Sequence, residues 1–140
     1  MRDRLFDPLK IRGVIVPNRI VMSPMTRGFS PNGVPTSQVV EYYERRAQGG
    51  CGLIITEAVG VDHPGALGDA GLGEDNIPVL HGDAALAGWK AVIDRVHHHG
   101  GKIVPQLWHQ GAMLLPGTGP FPDAPVMTPS GIWGPLGRMT

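Results

Sequence analysis

Hydrophobic residues occur in short segments with strand-like spacing, and glycine and proline separate these segments. Alternating residues at Leu9–Ile11 and Val14–Val16 predict a small β-hairpin ahead of the main fold. Continuous apolar runs at 20–22 and 53–55 predict strands that are buried on both faces. The segment 102–108 predicts a third strand, whose internal proline must lie where no main-chain donor is needed.

Two longer segments place apolar residues at helical spacing. The first helix is expected to begin at a cap formed by Thr36 or Ser37 and to end at Gly49-Gly50. The second is expected to end before Gly100-Gly101. The residues expected on the buried faces are Val39, Tyr42, Tyr43 and Ala47 in the first helix and Leu86, Trp89, Val92, Ile93 and Val96 in the second.

The order of predicted elements after the hairpin is strand, helix, strand, helix, strand. Because the connections have the length of parallel crossovers, this order predicts the α/β fold class. Ligand sites of such folds gather at the carboxyl ends of the strands, here 23–27, 57–60 and 106–111. The glycine- and proline-rich tail over 112–140 predicts a loop excursion without a further strand or helix. The whole chain, 1–140, is interpreted as one partial domain.

Composition and charge narrow the class of protein. Glycine (21) and proline (14) make up a quarter of the 140 residues, but 41% of residues are hydrophobic, so a disordered chain is disfavoured. Equal numbers of basic and acidic residues, 12 of each, disfavour a nucleic-acid partner. No apolar run approaches the ~20 residues that span a bilayer, so no membrane association is expected. The single cysteine, Cys51, excludes an internal disulfide framework and indicates a cytoplasmic protein.

Several motifs that would specify other chemistry are absent from the sequence. It contains no glycine fingerprint of a Rossmann site or P-loop, no zinc-protease motif, no cysteine pair and no nucleophile elbow. The three consecutive histidines His97, His98 and His99 point about 100° apart on a helix and cannot converge on one ion. The sequence therefore predicts no metal site within the chain.

A resemblance to a known family rests on four segments that occur in the family's order. They are NRIVMSPMTR at 18–27, YYERRA at 42–47, GLIITEA at 52–58 and QLWHQG at 106–111. Together they resemble the Old Yellow Enzyme family of FMN-dependent ene-reductases and NADH:flavin oxidoreductases, and the likeness runs from Leu5 to about Ile132. It implies the N-terminal part of a TIM (β/α)8 barrel, about three of eight strands, preceded by a short β-hairpin.

The resemblance also assigns roles to individual residues. It implies that the main chain of Ser23, Pro24 and Met25 contacts the cofactor and that the Thr26 hydroxyl lies near flavin O4. It further implies that Ala58 is a small residue at the flavin edge, that the Gln106 amide binds the pyrimidine edge, and that Trp108 forms a wall of the substrate pocket. Local alternatives stay open, because Thr26 can bond its own backbone, Gln106 can satisfy the barrel rim, and Trp108 can be barrel core.

The function implied is that of an FMN-binding, NAD(P)H-dependent oxidoreductase of the ene-reductase type, acting on an enone or another activated alkene. The family's catalytic His/His or His/Asn pair belongs to a later segment, so the chain alone is expected neither to hold FMN tightly nor to turn over. One alternative is another TIM-barrel enzyme, which needs charges at the strand ends, where only Glu57 qualifies. Another is a non-catalytic half-barrel that assembles with a complementing chain or as a homo-oligomer.

Overall fold

A computed structural model describes residues 4–68, 76–115, 117–118, 121–130, 132–133 and 137–138. The strands and helices are β1 (Leu9–Ile11), β2 (Val14–Val16), β3 (Val21–Met22), α1 (Ser37–Gln48), β4 (Leu53–Gly60), α2 (Asp83–His98), β5 (Lys102–Trp108), β6 (Ile132–Trp133) and β7 (Gly137–Arg138). Single 3-10 turns lie at Arg4–Phe6, Pro31–Gly33 and Gly111–Met113. Among these described residues, neither helix is both long and apolar enough to cross a membrane.

The sheet at the centre of the fold is parallel and has the strand order β3-β4-β5. The crossover from β3 to β4 contains α1, and the crossover from β4 to β5 contains α2. The predicted α/β class is therefore confirmed. The predicted hairpin is also confirmed, with Leu9 opposite Val16. Its two-residue turn places Arg12 at φ 51°, the left-handed conformation that tight hairpin turns require.

The hydrophobic core lies between the two helices and one face of this sheet. It contains Val39, Tyr43, Ala47, Ile54, Val59, Trp89, Val92 and Val96. The expected stripe on α2 is partly wrong, because Leu86 and Ile93 are 47% and 38% exposed while Ala85 is buried. Leu86 and Ile93 each lie one residue, about 100° of rotation, beyond a buried residue, which turns them away from the core.

The ends of α1 differ in how well the sequence anticipates them. Thr36 precedes the helix, but its hydroxyl donates to the Phe29 carbonyl at 2.8 Å and caps no helix amide. The helix ends at Gln48 with Gly49 as its C-cap, as predicted, and Gly50 follows with φ 88°. Tyr42, expected on the buried face, is only partly buried against the core.

Burial on both faces, which the apolar runs predict for the first two strands of the main fold, holds for β4 but is wrong for β3, and β5 is also partly exposed. Val21 of β3 is 48% exposed, and Val104 and Leu107 of β5 are 44% and 62% exposed. Since the described helices cover one face of the sheet, residues on the opposite face and at its edges stay in contact with solvent. The buried-strand pattern in the sequence is therefore satisfied only at the central strand.

A β-bulge interrupts the ladder between β4 and β5. Ile55 pairs with Val104 and Ala58 pairs with Gln106, so two residues, Thr56 and Glu57, lie opposite the single residue Pro105. The proline therefore lies where the ladder lacks a donor, as the sequence requires. The Thr56 hydroxyl accepts the next main-chain N–H, that of Gln106, at 3.1 Å.

The bulge changes which side chains of β4 face the helices. Ile54 and Val59 both belong to the core beneath the helices although they are an odd number of positions apart. Strict alternation would place them on opposite faces, and the extra residue of the bulge restores them to one face. Consequently Glu57 points toward α1, whereas Ala58 points to the opposite face of the sheet.

The chain after β5 contains more regular structure than the sequence predicts. A 3-10 turn at Gly111–Met113 follows the strand, and β6 pairs with β7 in a two-residue antiparallel ladder. The expectation of no further strand was therefore wrong, because such a short ladder needs only a tight connection and no buried face. The proposed extent of the excursion, 112–140, lies partly outside the described residues.

Candidate functional site

Three predicted site segments meet at the carboxyl end of the parallel sheet. Ala58 lies directly opposite Gln106 in the ladder between β4 and β5. The main-chain N–H of Arg27 donates to Glu57 Oε2 at 2.8 Å, which holds the segment 23–27 against the residue that precedes Ala58. Residues far apart in sequence are thus brought together by strand pairing and one side-chain hydrogen bond.

The predicted residues on β4 and β5 share the sheet face that points away from the helices. Paired residues of a sheet project to the same side, so Gln106 accompanies Ala58, and Trp108, two positions on, accompanies Gly60. Ala58 is buried, and Gln106 and Trp108 are partly buried. The indole Nε1 of Trp108 is buried and has no hydrogen-bond partner within the described part of the chain.

Several polar groups at this edge make no hydrogen bond to the rest of the described chain. They are the Thr26 hydroxyl, the Gln106 side-chain amide, and the main-chain N–H groups of Met25 and Thr26. The main-chain N–H of Gln106 donates to the Thr56 hydroxyl. In the described ranges, neither the local backbone bond considered for Thr26 nor the rim contact considered for Gln106 is made. These donors and acceptors are therefore available to a ligand.

The chemistry of this face fits a flat, neutral ring with a polar edge. An amide that both donates and accepts, a hydroxyl and free main-chain N–H groups are suited to the pyrimidine edge of a flavin. The side chain of Ala58 is small enough to let a ring approach the strand. Glu57, the charged residue between Thr56 and Ala58, points to the helix side and adds no charge to this face.

Glu57 is the residue at the site that sequence reasoning left without a role. Its side chain is fully buried, and its main-chain N–H donates to the Tyr43 hydroxyl at 2.8 Å. That hydroxyl donates to Glu57 Oε1 at 3.4 Å. Burial raises the pKa of the Glu57 carboxyl above its usual value, although the Arg27 N–H and Tyr43 hydrogen bonds act against the increase. An isolated acid within the apolar run LIITEAVG was the available signal.

The raised pKa predicts how stability changes with pH. The folded state binds the Glu57 proton more tightly than the unfolded state, so this contribution to stability is greatest below about pH 4.5 and decreases as pH rises through the folded pKa. We expect Glu57→Gln to abolish that decrease and to raise the free energy of unfolding at pH 7, because the glutamine carries no charge to bury. Urea unfolding between pH 4.5 and 8 measures the effect.

The control for this prediction is Glu41→Gln, an exposed acid on α1 that pairs with Arg45. Surface ion pairs of this kind contribute little to stability. The free energy of unfolding of Glu41→Gln should therefore change with pH in the same way as that of the unmodified chain. If the free energy of unfolding changed with pH equally in the unmodified chain and in Glu57→Gln, Glu57 would not titrate as described.

A pair of histidines joins the loops that follow β4 and β5. His109 Nε2 lies 2.9 Å from His63 Nδ1, and His109 Nδ1 accepts the Gly111 N–H at 2.9 Å. Burial lowers the pKa of His109, and the neighbouring His63 lowers it further. The contact was not foreseen, because the two histidines are 46 positions apart in sequence.

Comparison with known proteins shows which family the chain resembles in sequence and fold. A sequence model of the NADH:flavin oxidoreductase / NADH oxidase family matches residues 4–130. Chanoclavine-I aldehyde reductase of Penicillium roqueforti is 41% identical over 114 residues, which are 81% of this chain and 29% of that protein.

Two solved structures are similar in fold as well as sequence. Morphinone reductase in complex with tetrahydroNAD is 40% identical, with a TM-score of 0.70 over 81% of this chain and 29% of its own. The Old Yellow Enzyme homologue from Zymomonas mobilis is 38% identical, with a TM-score of 0.70 over 82% of this chain and 30% of its own. The chain spans less than a third of the length of each of these three proteins.

Proposed function

Because the chain belongs to the NADH:flavin oxidoreductase / NADH oxidase family, we propose that it forms the first part of an FMN-binding (β/α)8 barrel enzyme of the ene-reductase type. The Old Yellow Enzyme resemblance of the sequence is confirmed by the family match and by the solved homologues. FMN and a nicotinamide are the cofactors of this family. When bound, FMN supplies hydride transfer between the reduced nicotinamide and an activated alkene such as an enone.

The observation that carries the proposal is the set of free polar groups beside Ala58. The Gln106 amide binds the pyrimidine edge of the flavin, and the Thr26 hydroxyl donates near flavin O4. Ser23, Pro24 and Met25 contribute main-chain contacts at the end of β3. Trp108 borders the substrate pocket on the same face. None of these groups is charged, which suits a ring that accepts electrons.

The exposed hydrophobic residues support a barrel that continues beyond these strands. Val21 and Val104 lie on the face turned away from the helices, where the interior of a closed barrel would bury them. Leu107 pairs with the core residue Val59, so it lies on the helix side, where the described helices do not cover it. A further helix packed beside β5 would cover Leu107.

We propose that the 140-residue chain alone does not catalyse the reduction. The family's polarising histidine pair and the phosphate-binding loop after strands 7 and 8 both belong to later parts of such a barrel. We place the enzyme in the cytoplasm, because its single cysteine indicates a reducing compartment.

A chimera tests the proposed function directly. In this chimera, residues 4–130 replace the matching segment of the Zymomonas mobilis homologue. We expect the purified chimera to be yellow and to oxidise NADPH in the presence of 2-cyclohexenone, while the chain alone is colourless and inactive. A folded chimera without bound flavin would overturn the proposed FMN site, and a yellow, active isolated chain would overturn the proposal that the chain needs later segments.

A second candidate is a half-barrel that assembles with another chain without catalysing a reaction itself. The exposed apolar residues Val21, Val104 and Leu107 favour association of the sheet with a partner. Size-exclusion chromatography with a co-expressed downstream barrel segment distinguishes the candidates. A stable complex that binds flavin supports assembly from two chains, whereas self-association without flavin uptake supports a homo-oligomer. A different TIM-barrel enzyme is disfavoured, because Glu57 points away from the ligand face.

A further inference from the structure

We propose that Glu57 is a positioning residue: its buried carboxylate fixes the main chain at Arg27 and thereby sets the segment 23–27 beside Ala58 and Gln106. The placement itself is a property of the fold. Its consequence for flavin binding rests on the proposed function. The proposal assigns a role in the site to a residue that faces away from the ligand.

The first support comes from the bulge. Without an extra residue in β4, Glu57 would project to the ligand face, and its carboxylate would put a negative charge where Gln106 and Trp108 lie. The bulge turns the carboxylate to the helix side, where it meets the Tyr43 hydroxyl and the Arg27 N–H. Bulges are known to redirect side chains next to active sites.

The second support is that the main chain of the segment has no other hydrogen-bonded anchor within the described residues. Between 25 and 28, the main-chain hydrogen bonds made within the described residues go to Glu57, from Arg27 at 2.8 Å. The neighbouring N–H of Gly28 also helps to hold down the pKa of this carboxyl. Gly28 has φ 67°, so the chain turns there and continues toward Phe29.

The third support is the rigidity of the carboxylate itself. Glu57 is 0% exposed, its main chain is held by the Tyr43 hydroxyl at 2.8 Å, and Tyr43 belongs to the hydrophobic core. A side chain fixed by packing and by hydrogen bonds is a better reference point for a loop than an exposed one. The geometry of the segment is therefore set by the core beneath α1.

A competing anchor is the Arg27 side chain. Its guanidinium lies 4.8 Å from the centre of the Tyr42 ring and 5.5 Å from that of Phe29. These cation–π contacts could hold the segment without the carboxylate. Arg27→Met removes them and retains the main-chain N–H, so this variant separates the two anchors.

Amide hydrogen exchange on the full 140-residue chain tests the placement without any flavin. Glu57→Leu is expected to raise the exchange rates of the Arg27 and Gly28 amides at least about tenfold relative to those of β4 and α2, because their acceptor is lost. Glu57→Gln keeps an acceptor oxygen and should stay within about threefold of the unmodified chain. Exchange in Arg27→Met should also stay within about threefold of that in the unmodified chain. Val96→Ala removes core packing far from the segment and should raise exchange broadly.

Two outcomes would overturn the proposal. One is unchanged exchange at the Arg27 and Gly28 amides in Glu57→Leu. The other is a broad rise in Glu57→Leu that matches the pattern of Val96→Ala, which would make Glu57 a residue of global stability only. A rise in Arg27→Met equal to that in Glu57→Leu would assign the anchor to the guanidinium and would also overturn it.

The chimera then measures the consequence for the cofactor. In it, Glu57→Leu should weaken FMN binding at least tenfold and shift the visible flavin spectrum, while Glu57→Gln restores both. If the unmodified chimera binds no FMN, the proposed function fails, but the exchange result still decides whether Glu57 positions the segment. If the chimera binds FMN equally well in all variants, the segment does not depend on Glu57 for its role at the flavin.

Discussion

Replacing Trp89 with alanine is expected to lower the free energy of unfolding by about 3–5 kcal/mol. Trp89 is 4% exposed and lies between the two helices and the sheet, with its ring centre 6.3 Å from that of Tyr43. Its indole N–H donates to the Val79 carbonyl at 3.0 Å, so the substitution removes a hydrogen bond together with the largest side chain on the buried face of α2. Urea unfolding followed by circular dichroism measures the loss.

Ile93→Ala on the same helix is the matched control. Ile93 is 38% exposed, so its truncation removes less buried surface and should cost under about 1 kcal/mol. Trp89→Phe separates packing from the hydrogen bond to Val79, and we expect it to fall between the two. Equal losses for Trp89→Ala and Ile93→Ala would contradict the described burial of α2.

Replacing Gln106 with leucine in the chimera is expected to raise the dissociation constant for FMN about 10- to 100-fold. The side-chain amide offers a donor and an acceptor on the ligand face, and a leucine leaves the polar edge of the flavin unpaired. The main-chain N–H of Gln106 still donates to the Thr56 hydroxyl, so the ladder and its bulge are retained. Fluorescence titration with FMN gives the dissociation constant.

Gln48→Leu is the control for this substitution. Gln48 is exposed at the end of α1, remote from the carboxyl edge of the sheet, and its replacement should leave FMN affinity unchanged. Comparable thermal stability of both variants would exclude loss of the fold as the cause. Undiminished FMN binding by Gln106→Leu would remove this amide from the cofactor site.

The local elements follow from the sequence because their signals are local. The hairpin is specified by alternation around Arg12-Gly13, and α1 ends where Gly49 and Gly50 supply the conformations that a helix terminus needs. The four family segments were sufficient to identify the family. The assignments of Thr26, Ala58, Gln106 and the other site residues stay predictions. The structure adds that Ala58 and Gln106 are paired in the ladder and that the Thr26 hydroxyl and the Gln106 side-chain amide make no hydrogen bond within the described residues.

Burial was less predictable than element type. Apolar runs indicated strands covered on both faces, yet Val21 is exposed in the described sheet. A hydrophobic run reports that a segment can be buried, but which face is covered depends on the elements packed against it. The same reason explains why Ile93, although apolar and helical, lies outside the core.

The sequence by itself determined the α/β order, the hairpin, the positions of the helices and the membership of the family. Only the tertiary structure decided that Glu57 faces α1 and that Ala58 and Gln106 share the opposite face. The physical reason is the bulge: Pro105 has no N–H to donate, and Thr56 and Glu57 together lie opposite it. The bulge depends on the pairing of residues almost fifty positions apart in sequence, and no local spacing of hydrophobic and polar residues predicts it.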